Sequence, residues 1–200
     1  MSHEVVLATG NAGKLREFDA LLAPLGWTLV RQSERGVVPA PEDGATFLEN
    51  ALAKARAASA QTGLPALADD SGLVVAALGG APGVHSARYA GPDARDADNV
   101  QRLLAALENV PEPQRTAHFY CVIVYLRHAA DPEPLIGQGR WAGRILTAPQ
   151  GSAGFGYDPV FFVPEQGCSA AELDPAVKNR LSHRGRALAA LRAQLDADRA

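Results

Sequence analysis

Apolar residues recur along this chain in short runs and at helical spacing, with glycine-rich turns between them. Residues 5–8 form a short apolar run that predicts a buried strand, and the run breaks at Thr9-Gly10. Beyond the break, the apolar positions follow helical spacing at Leu15, Phe18, Leu21, Leu22 and Leu25. The chain is therefore predicted to begin with a strand, a loop and a helix.

A second helix is predicted from its end signals. Thr46 and Glu49 have the spacing of a capping box, and Gly63 followed by Pro65 is typical of a helix end. The alanine-rich stretch between them favours helix. We predict a helix that begins at Thr46 and ends near Gly63.

Next along the chain, an apolar run over residues 66–68 leads into Asp69 and Asp70, and a second run covers residues 73–75. Adjacent carboxylates at the end of a partly buried strand repel each other and lose solvent. A glycine follows at position 72. The pattern predicts a bend at the acidic pair, with extended structure on both sides.

The second half of the chain alternates further helices and strands. Helical spacing is seen at Val100, Leu103, Leu104 and Leu107, and residues 119–126 are apolar on both faces, as in a central strand. Shorter strands are predicted over residues 135–139, 141–146 and 160–163, the first two separated by glycine.

The last two helices are predicted from their caps. Asp174-Pro175 opens a short helix, and Ser182 caps a final one. The whole pattern predicts an α/β fold, with a mixed sheet because some connections are too short for parallel crossovers.

Composition narrows the class of protein. The chain has 200 residues and a net charge of -3, which argues against a general nucleic-acid binder. Its two cysteines, Cys121 and Cys168, are far apart and suggest neither a disulfide framework nor a zinc ribbon. Leader features and an apolar run of ~20 residues are both absent from the sequence. We expect a single domain over residues 1–200, located in the cytoplasm and without membrane or nucleic-acid partners.

The loop after the first strand has features of a phosphate-binding loop. Its residues are Thr9, Gly10, Asn11, Ala12, Gly13 and Lys14. Glycines allow an anion to approach the backbone, amides at a helix N-terminus point outward, and lysine adds a charge. It differs from a Walker loop, which would require glycine at Ala8 and a hydroxyl residue at Leu15. The alternative is an ordinary strand-to-helix turn.

The acidic pair suggests a divalent cation. Glu42, in a proline-rich loop, is a third carboxylate that could reach the same ion, and magnesium prefers oxygen ligands. Asn50 and Lys54 are four residues apart and so share a helix face. The alternatives are an acidic turn that bonds its own backbone and a solvated surface lysine.

Two further segments contain residues suited to binding a nucleobase. Phe155, Gly156, Tyr157 and Asp158 place aromatic rings and a carboxylate on one loop. Lys178, His183 and Arg184 supply cationic donors around the start of the last helix. Taken separately, the first segment is more typical of a loop that caps a core, and the second of a solvated basic stretch.

Together these blocks resemble the inosine triphosphate pyrophosphatase family, whose members are also described as noncanonical purine NTP or dITP/XTP pyrophosphatases. The resemblance runs through almost the whole chain in order. It covers residues 7–14; Glu42 with residues 46–51 and Lys54; residues 68–73; residues 80–83 and 86–91; residues 155–159; and Lys178 with residues 182–185.

The resemblance implies an elongated mixed sheet flanked by helices, with two lobes around a central active-site cleft, assembled as a homodimer. It implies Mg²⁺-dependent hydrolysis of purine nucleoside triphosphates to monophosphate and pyrophosphate. Asp70 resembles the catalytic base and, with Glu42, a metal ligand, while Asp69 resembles a supporting acid. The substrate-binding residues implied are residues 9–14, Lys54, Ser71, residues 155–158, Lys178, His183 and Arg184.

Two positions depart from the family pattern, namely Ala76, where an acid is common, and His85, where tyrosine is usual. Two other classes of function stay open on the residues alone. A binding module could sense a nucleotide without hydrolysing it, although three carboxylates near a phosphate argue against that. An RNA-binding protein could use the basic residues at 178, 180, 184 and 186, with an affinity that falls steeply with salt.

Overall fold

The fold is described over residues 4–23 and 26–198 of a computed structural model. Its seven strands are β1 (Glu4–Leu7), β2 (Thr28–Arg31), β3 (Ala66–Val75), β4 (Thr116–Leu126), β5 (Leu135–Ile145), β6 (Phe161–Val163) and β7 (Cys168–Ser169). Its five α-helices are α1 (Ala12–Leu22), α2 (Phe47–Thr62), α3 (Asp96–Ala106), α4 (Pro175–Leu181) and α5 (His183–Asp198). The α/β prediction is confirmed. Leu25, assigned to the first helix from the sequence, lies outside the described residues.

The strands form a mixed sheet in the order β2-β1-β3-β4-β5-β6-β7. β1 runs parallel to both β2 and β3, whereas β6 is antiparallel to β5 and β7. The mixed character predicted from the short connections is confirmed. The parallel part matters for function, because the carboxyl ends of β1, β2 and β3 lie at one edge of the sheet.

Capping residues fix the ends of the helices close to where the sequence predicted them. The Thr46 hydroxyl accepts the Glu49 N–H at 3.2 Å, and the Glu49 carboxylate accepts the Thr46 N–H at 2.8 Å. Gly63 ends α2 with φ 70°, a left-handed conformation that glycine adopts without strain. Asp174 caps α4 by accepting the Ala176 N–H at 2.8 Å. These helices are therefore specified largely by their own sequence.

The predicted bend at the acidic pair is wrong. β3 continues from Ala66 to Val75 without a break, and Asp69 and Asp70 both belong to it. Successive side chains of a strand point to opposite faces, so the two carboxylates are not side by side but enter different surroundings. Each is paired there with a cation, as described below, which removes the repulsion that predicted the bend.

The predicted division of residues 135–146 into two strands is also wrong. One strand, β5, covers Leu135 to Ile145. Close packing explains Gly137 within it, since a Cβ at that position would collide with the carbonyl oxygen of Ala187 in α5. Two short strands, β2 and β7, were not predicted.

The chain divides into two compact units. Unit 1 contains the residues up to Asp70, Cys121–Gly139 and the residues from Arg184 onward, and unit 2 contains Ser71–Tyr120 and Arg140–His183. The single domain over residues 1–200 stays a prediction. No helix within the described ranges is long and apolar enough to cross a membrane.

Each unit has its own apolar core. In unit 1, Phe18 and Leu22 of α1 and Leu191 of α5 are buried with residues of β1, β3 and β4. In unit 2, Leu103 of α3 is buried with Trp141 of β5 and Phe161 of β6. Full burial of such side chains stabilises a fold by about 1.5–3 kcal/mol each. Each core fixes the strand ends and loops of its own unit that carry candidate site residues.

Candidate active site

The loop between β1 and α1 is shaped by its own side chains. Asn11 caps α1, its side-chain oxygen accepting the Lys14 N–H at 3.0 Å, and the Thr9 hydroxyl accepts the Asn11 N–H at 3.3 Å. Gly10, Asn11 and Ala12 are exposed, while Gly13 is buried in the first helical turn. The exposed backbone here is open to an anion at the positive end of a helix.

Asp69 is completely buried and paired with two cations of unit 1. Its carboxylate lies 2.9 Å from Lys14 Nζ and 3.6 Å from Arg184 Nη2. Burial alone would raise the pKa of Asp69, but Lys14, Arg184 and Lys54 outweigh it and hold that pKa below its usual value. Asp69 is therefore ionised, and its charge fixes the lysine of the phosphate loop.

Arg184 is 1% exposed and forms a second ion pair, with Glu17 of α1. Its guanidinium also lies 5.7 Å from the centre of the Phe18 ring. Burial would lower the pKa of Arg184, but Asp69 and Glu17 raise it. Glu17 was missed by the sequence reasoning. The available signal was its position three residues after Lys14, which puts both side chains on one face of α1.

Asp70 enters a different environment, among residues of α2 and the loop before it. One oxygen, Oδ2, accepts a hydrogen bond from Asn50 Nδ2 at 3.1 Å, and the other lies 3.4 Å from Lys54 Nζ. Lys54 also donates to Glu42 Oε1 at 2.7 Å. Burial raises the pKa of Asp70, opposed by Lys54 and Lys14. The three carboxylates singled out from the sequence are thus held by a small set of cations.

Asn50 is 1% exposed and bonds both to the loop before α2 and to Asp70. Its side-chain oxygen accepts the Gly44 N–H at 2.8 Å, while its nitrogen donates to Asp70. A Cβ at Gly44 would lie 2.7 Å from that oxygen, so only glycine allows the loop to approach so closely. Sequence analysis placed Asn50 beside Lys54 but gave it no role. The structure shows that it ties the loop carrying Glu42 to the strand carrying Asp70.

We call these connected residues of unit 1 the acid cluster. It consists of Lys14, Glu17, Glu42, Asn50, Lys54, Asp69, Asp70 and Arg184.

The donor set of the acid cluster fits magnesium bound together with phosphate. Across the described chain, no group of three or more His, Cys, Asp or Glu side chains gathers to hold a metal ion by itself. Glu42 and Asp70, however, both contact Lys54, whose Nζ lies 2.7 Å from Glu42 Oε1 and 3.4 Å from Asp70 Oδ1. Magnesium is commonly held by one or two carboxylates plus substrate phosphates, not by an all-protein cage.

The aromatic loop belongs to unit 2. Asp158 is buried, and its Oδ2 accepts both the Phe155 N–H at 2.9 Å and a hydrogen bond from Lys178 Nζ at 2.6 Å. Lys178 Nζ also lies 4.9 Å from the centre of the Phe155 ring. The ammonium, the carboxylate and the ring are therefore held in one fixed arrangement. We call Phe155, Asp158 and Lys178 the base group.

Two long-range hydrogen bonds anchor the rest of this loop. The Tyr157 hydroxyl donates to the Ser86 carbonyl at 2.8 Å, and the Gly156 N–H donates to the Asp96 carboxylate at 2.7 Å. Burial raises the pKa of Tyr157, so its hydroxyl stays protonated and able to donate. Gly156 has φ 61°, which favours glycine. Tyr157 thus holds the loop in place from within unit 2.

The remaining predicted residues lie near the boundaries of the two units along the chain. Ser71 is half-buried in β3, directly after Asp70. His183 is buried at the start of α5, and its ring stacks on Phe119 with centroids 4.8 Å apart. Lys178, His183 and Arg184 were grouped from the sequence; the structure places the first two in unit 2 and Arg184 in the acid cluster of unit 1.

Known proteins match the chain along almost its full length. A dITP/XTP pyrophosphatase of Vibrio parahaemolyticus is 57% identical over 197 residues, covering 98% of both chains. The protein of the same name from Yersinia pseudotuberculosis is 60% identical over 185 residues, covering 92% of this chain and 94% of that protein. The solved structure of a HAM1 protein from Coxiella burnetii superposes with a TM-score of 0.90 at 51% identity, covering 98% of this chain and all of that one. Since the family model described as the Ham1 family matches residues 5–194, this chain belongs to the Ham1 family.

Proposed function

We propose that this protein hydrolyses the deaminated purine nucleoside triphosphates ITP, dITP and XTP to nucleoside monophosphate and pyrophosphate. The observation that carries the proposal is the acid cluster, where Glu42 and Asp70 share Lys54 while Asp69 holds the lysine of the phosphate loop. The names of the Vibrio and Yersinia relatives support the same reaction. Such a reaction removes deaminated nucleotides from the precursor pool.

In this proposal the triphosphate is held by the loop of residues 9–14, by Lys54 and by Ser71. The exposed amides of Gly10 and Ala12 donate to phosphate oxygens, and Lys14 and Lys54 offset the charge that grows on the departing pyrophosphate. Both lysines are held by carboxylates before substrate arrives, so little reorganisation is needed.

Asp70 is proposed as the catalytic base. Its carboxylate takes a proton from a water molecule, the water oxygen bonds to the α-phosphorus, and the bond between that phosphorus and the α–β bridging oxygen breaks. The proton then passes to solvent. Glu42 and Asp70 would hold Mg²⁺, which supplies charge compensation for the phosphates when bound. Asp69 acts by fixing Lys14 and Arg184.

The base group is proposed to select the purine. The Phe155 ring offers a stacking surface, and the Lys178 ammonium beside it matches the acceptor at O6 of hypoxanthine and xanthine, with His183 and Arg184 as the further donors expected from the sequence. Aromatic stacking and a required hydrogen bond together favour 6-oxo purines.

We also propose that the protein acts as a homodimer in the cytoplasm, without a nucleic-acid or membrane partner. Its two cysteines are free, which suits a reducing compartment, and its charge of -3 lacks the basic field that nucleic acid requires.

The proposed reaction is tested by identifying its products. With ITP and magnesium in ¹⁸O-labelled water, we expect pyrophosphate release and ¹⁸O in the monophosphate, because water attacks the α-phosphorus. Chelation of the metal with EDTA should reduce the rate to background, and added magnesium should restore it. Release of orthophosphate and a nucleoside diphosphate would contradict the proposed position of cleavage. Binding without turnover would favour the sensor alternative.

Asn50 provides a test of the link between Glu42 and Asp70. Asn50→Asp keeps an acceptor for the Gly44 N–H but replaces the donor to Asp70 with a second buried carboxylate. Losing a hydrogen bond to a charged group and adding repulsion should lower kcat/KM for ITP by about 10²-fold. Gln61→Glu makes the same change in the same helix, at an exposed amide that bonds Val38, and should change kcat/KM less than threefold. Equal losses in both variants would mean that the effect belongs to α2 as a whole.

A further inference from the structure

We propose that Gln32 is a further substrate-binding residue, whose side-chain amide donates a hydrogen bond to a phosphate oxygen of the triphosphate. This inference rests on the proposed function. Gln32 lies outside every motif that the sequence analysis connected with the phosphate, and it follows directly after β2, a strand that was not predicted.

Strand register brings Gln32 to the phosphate loop. β1 and β2 are parallel, with Leu7 opposite Arg31, so the next residues of each strand emerge together at the carboxyl edge of the sheet. That edge is where parallel sheets commonly bind ligands. The backbone of Gln32 is fixed there by a turn, since its carbonyl accepts the Val37 N–H at 3.0 Å and Gly36 closes the turn with φ 64°.

The Gln32 amide reaches the space above Gly10. A Cβ added at Gly10 would have Gln32 Nε2 as its nearest neighbour, at 3.8 Å, which is ordinary van der Waals contact. Gly10 has no positive φ, so neither its backbone nor its protein neighbours require glycine. A ligand that approaches the backbone at Gly10 would therefore occupy space next to the Gln32 amide.

The amide is available to such a ligand. The side chain is half-buried, yet within residues 4–23 and 26–198 it makes no hydrogen bond to any protein group. Gln61, by comparison, uses its amide fully on Val38 and on its own helix. A half-buried amide without a protein partner at the edge of a phosphate loop is suited to an acceptor that arrives with the substrate.

Local charge explains why a neutral donor is useful here. The acid cluster contains four carboxylates and three cations, and every one of these cations is already paired with a carboxylate. A triphosphate entering this field needs Mg²⁺ and further N–H donors that bring no carboxylate with them. An amide bonded to a charged phosphate oxygen forms one of the stronger kinds of hydrogen bond.

Two substitutions and a control test the proposal. Gln32→Met keeps the length of the side chain without its N–H, and Gln32→Glu adds a negative charge in its place. Ser33→Glu adds the same charge at the next residue, which is exposed. We would measure kcat and KM for ITP with magnesium in excess and, by calorimetry, the Kd of inorganic tripolyphosphate, with thermal melting as a check of folding.

We expect Gln32→Met to raise both KM and the tripolyphosphate Kd about tenfold with kcat within twofold, and Gln32→Glu to raise them about 10²-fold. Ser33→Glu should change each less than threefold. The proposal is overturned if Gln32→Met leaves KM and Kd within twofold, if it lowers kcat alone, or if the two glutamate variants are equally impaired. Should the unmodified protein fail to hydrolyse ITP, weaker tripolyphosphate binding by Gln32→Met would still support this contact while the proposed function failed.

Discussion

Replacing Asp70 with asparagine is expected to lower kcat for ITP by ~10²-fold or more while nucleotide still binds, because loss of a general base typically has at least that effect. Asparagine keeps the shape of the side chain and an oxygen that accepts the hydrogen bond from Asn50. It cannot take a proton from water. The measurement is kcat from pyrophosphate release, together with the affinity for ITP from equilibrium binding.

A matched control for Asp70→Asn is Asp43→Asn. Asp43 is an exposed carboxylate next to Glu42, so this variant removes one negative charge from the same region of the chain without touching the acid cluster. We expect kcat within twofold of the unmodified protein. Near-normal turnover in Asp70→Asn, or equal losses in the two variants, would contradict the assignment of the base.

The sequence predicted best those elements whose ends are fixed by neighbouring residues. Thr46 and Glu49 specify the start of α2 and Gly63 specifies its end, and Asp174 specifies the start of α4. The predictions were wrong where contacts between residues far apart in the sequence determine the structure. Gly139 was interpreted as a break between two strands, whereas β5 continues through it and packs closely against α5 at Gly137.

The candidate site divides in the same way. The phosphate loop and the acidic pair each consist of consecutive residues, so the sequence pattern was enough to predict their chemistry. Glu17 has its partner, Arg184, near the other end of the chain, and Gln32 reaches Gly10 through the pairing of β1 with β2. Gln32 has no local signal that distinguishes it from a surface residue, and the spacing of Glu17 from Lys14 places both on one face of α1 without indicating Arg184. The continuation of β3 through Asp69 and Asp70 likewise depended on cations that the pattern did not pair with them.

Selectivity for 6-oxo purines should be the other large effect. We expect kcat/KM for ITP, dITP and XTP well above that for GTP, and for ATP lower by as much as ~10⁴-fold, since a site built around a required hydrogen bond rejects the wrong partner strongly. Adenine presents an amino group where hypoxanthine presents O6, which would leave buried donors unpaired. Guanine shares O6, so it is rejected only if the pocket offers its 2-amino group neither room nor a hydrogen-bond acceptor.

Substitution of Lys178 is the most specific test of this selectivity. Arg184→Ala should also erase much of the difference between ITP and ATP. However, Arg184 pairs with Asp69 and Glu17, so its loss should lower turnover on every nucleotide as well. Lys178→Gln leaves the acid cluster untouched. Its amide can still donate to Asp158, and its oxygen can accept a hydrogen bond from the amino group of adenine.

For Lys178→Gln we expect the ratio of kcat/KM for ITP to that for ATP to fall by about 10²-fold, through both a loss on ITP and a gain on ATP. Arg180→Gln removes an exposed cation from the same helix and should leave the ratio within twofold. Stopped assays of pyrophosphate release at low substrate concentration give the ratio directly. Comparable efficiency on ATP and ITP in the unmodified protein would overturn the role of the base group, even where hydrolysis itself is confirmed, because the fixed ammonium beside Phe155 would then select nothing.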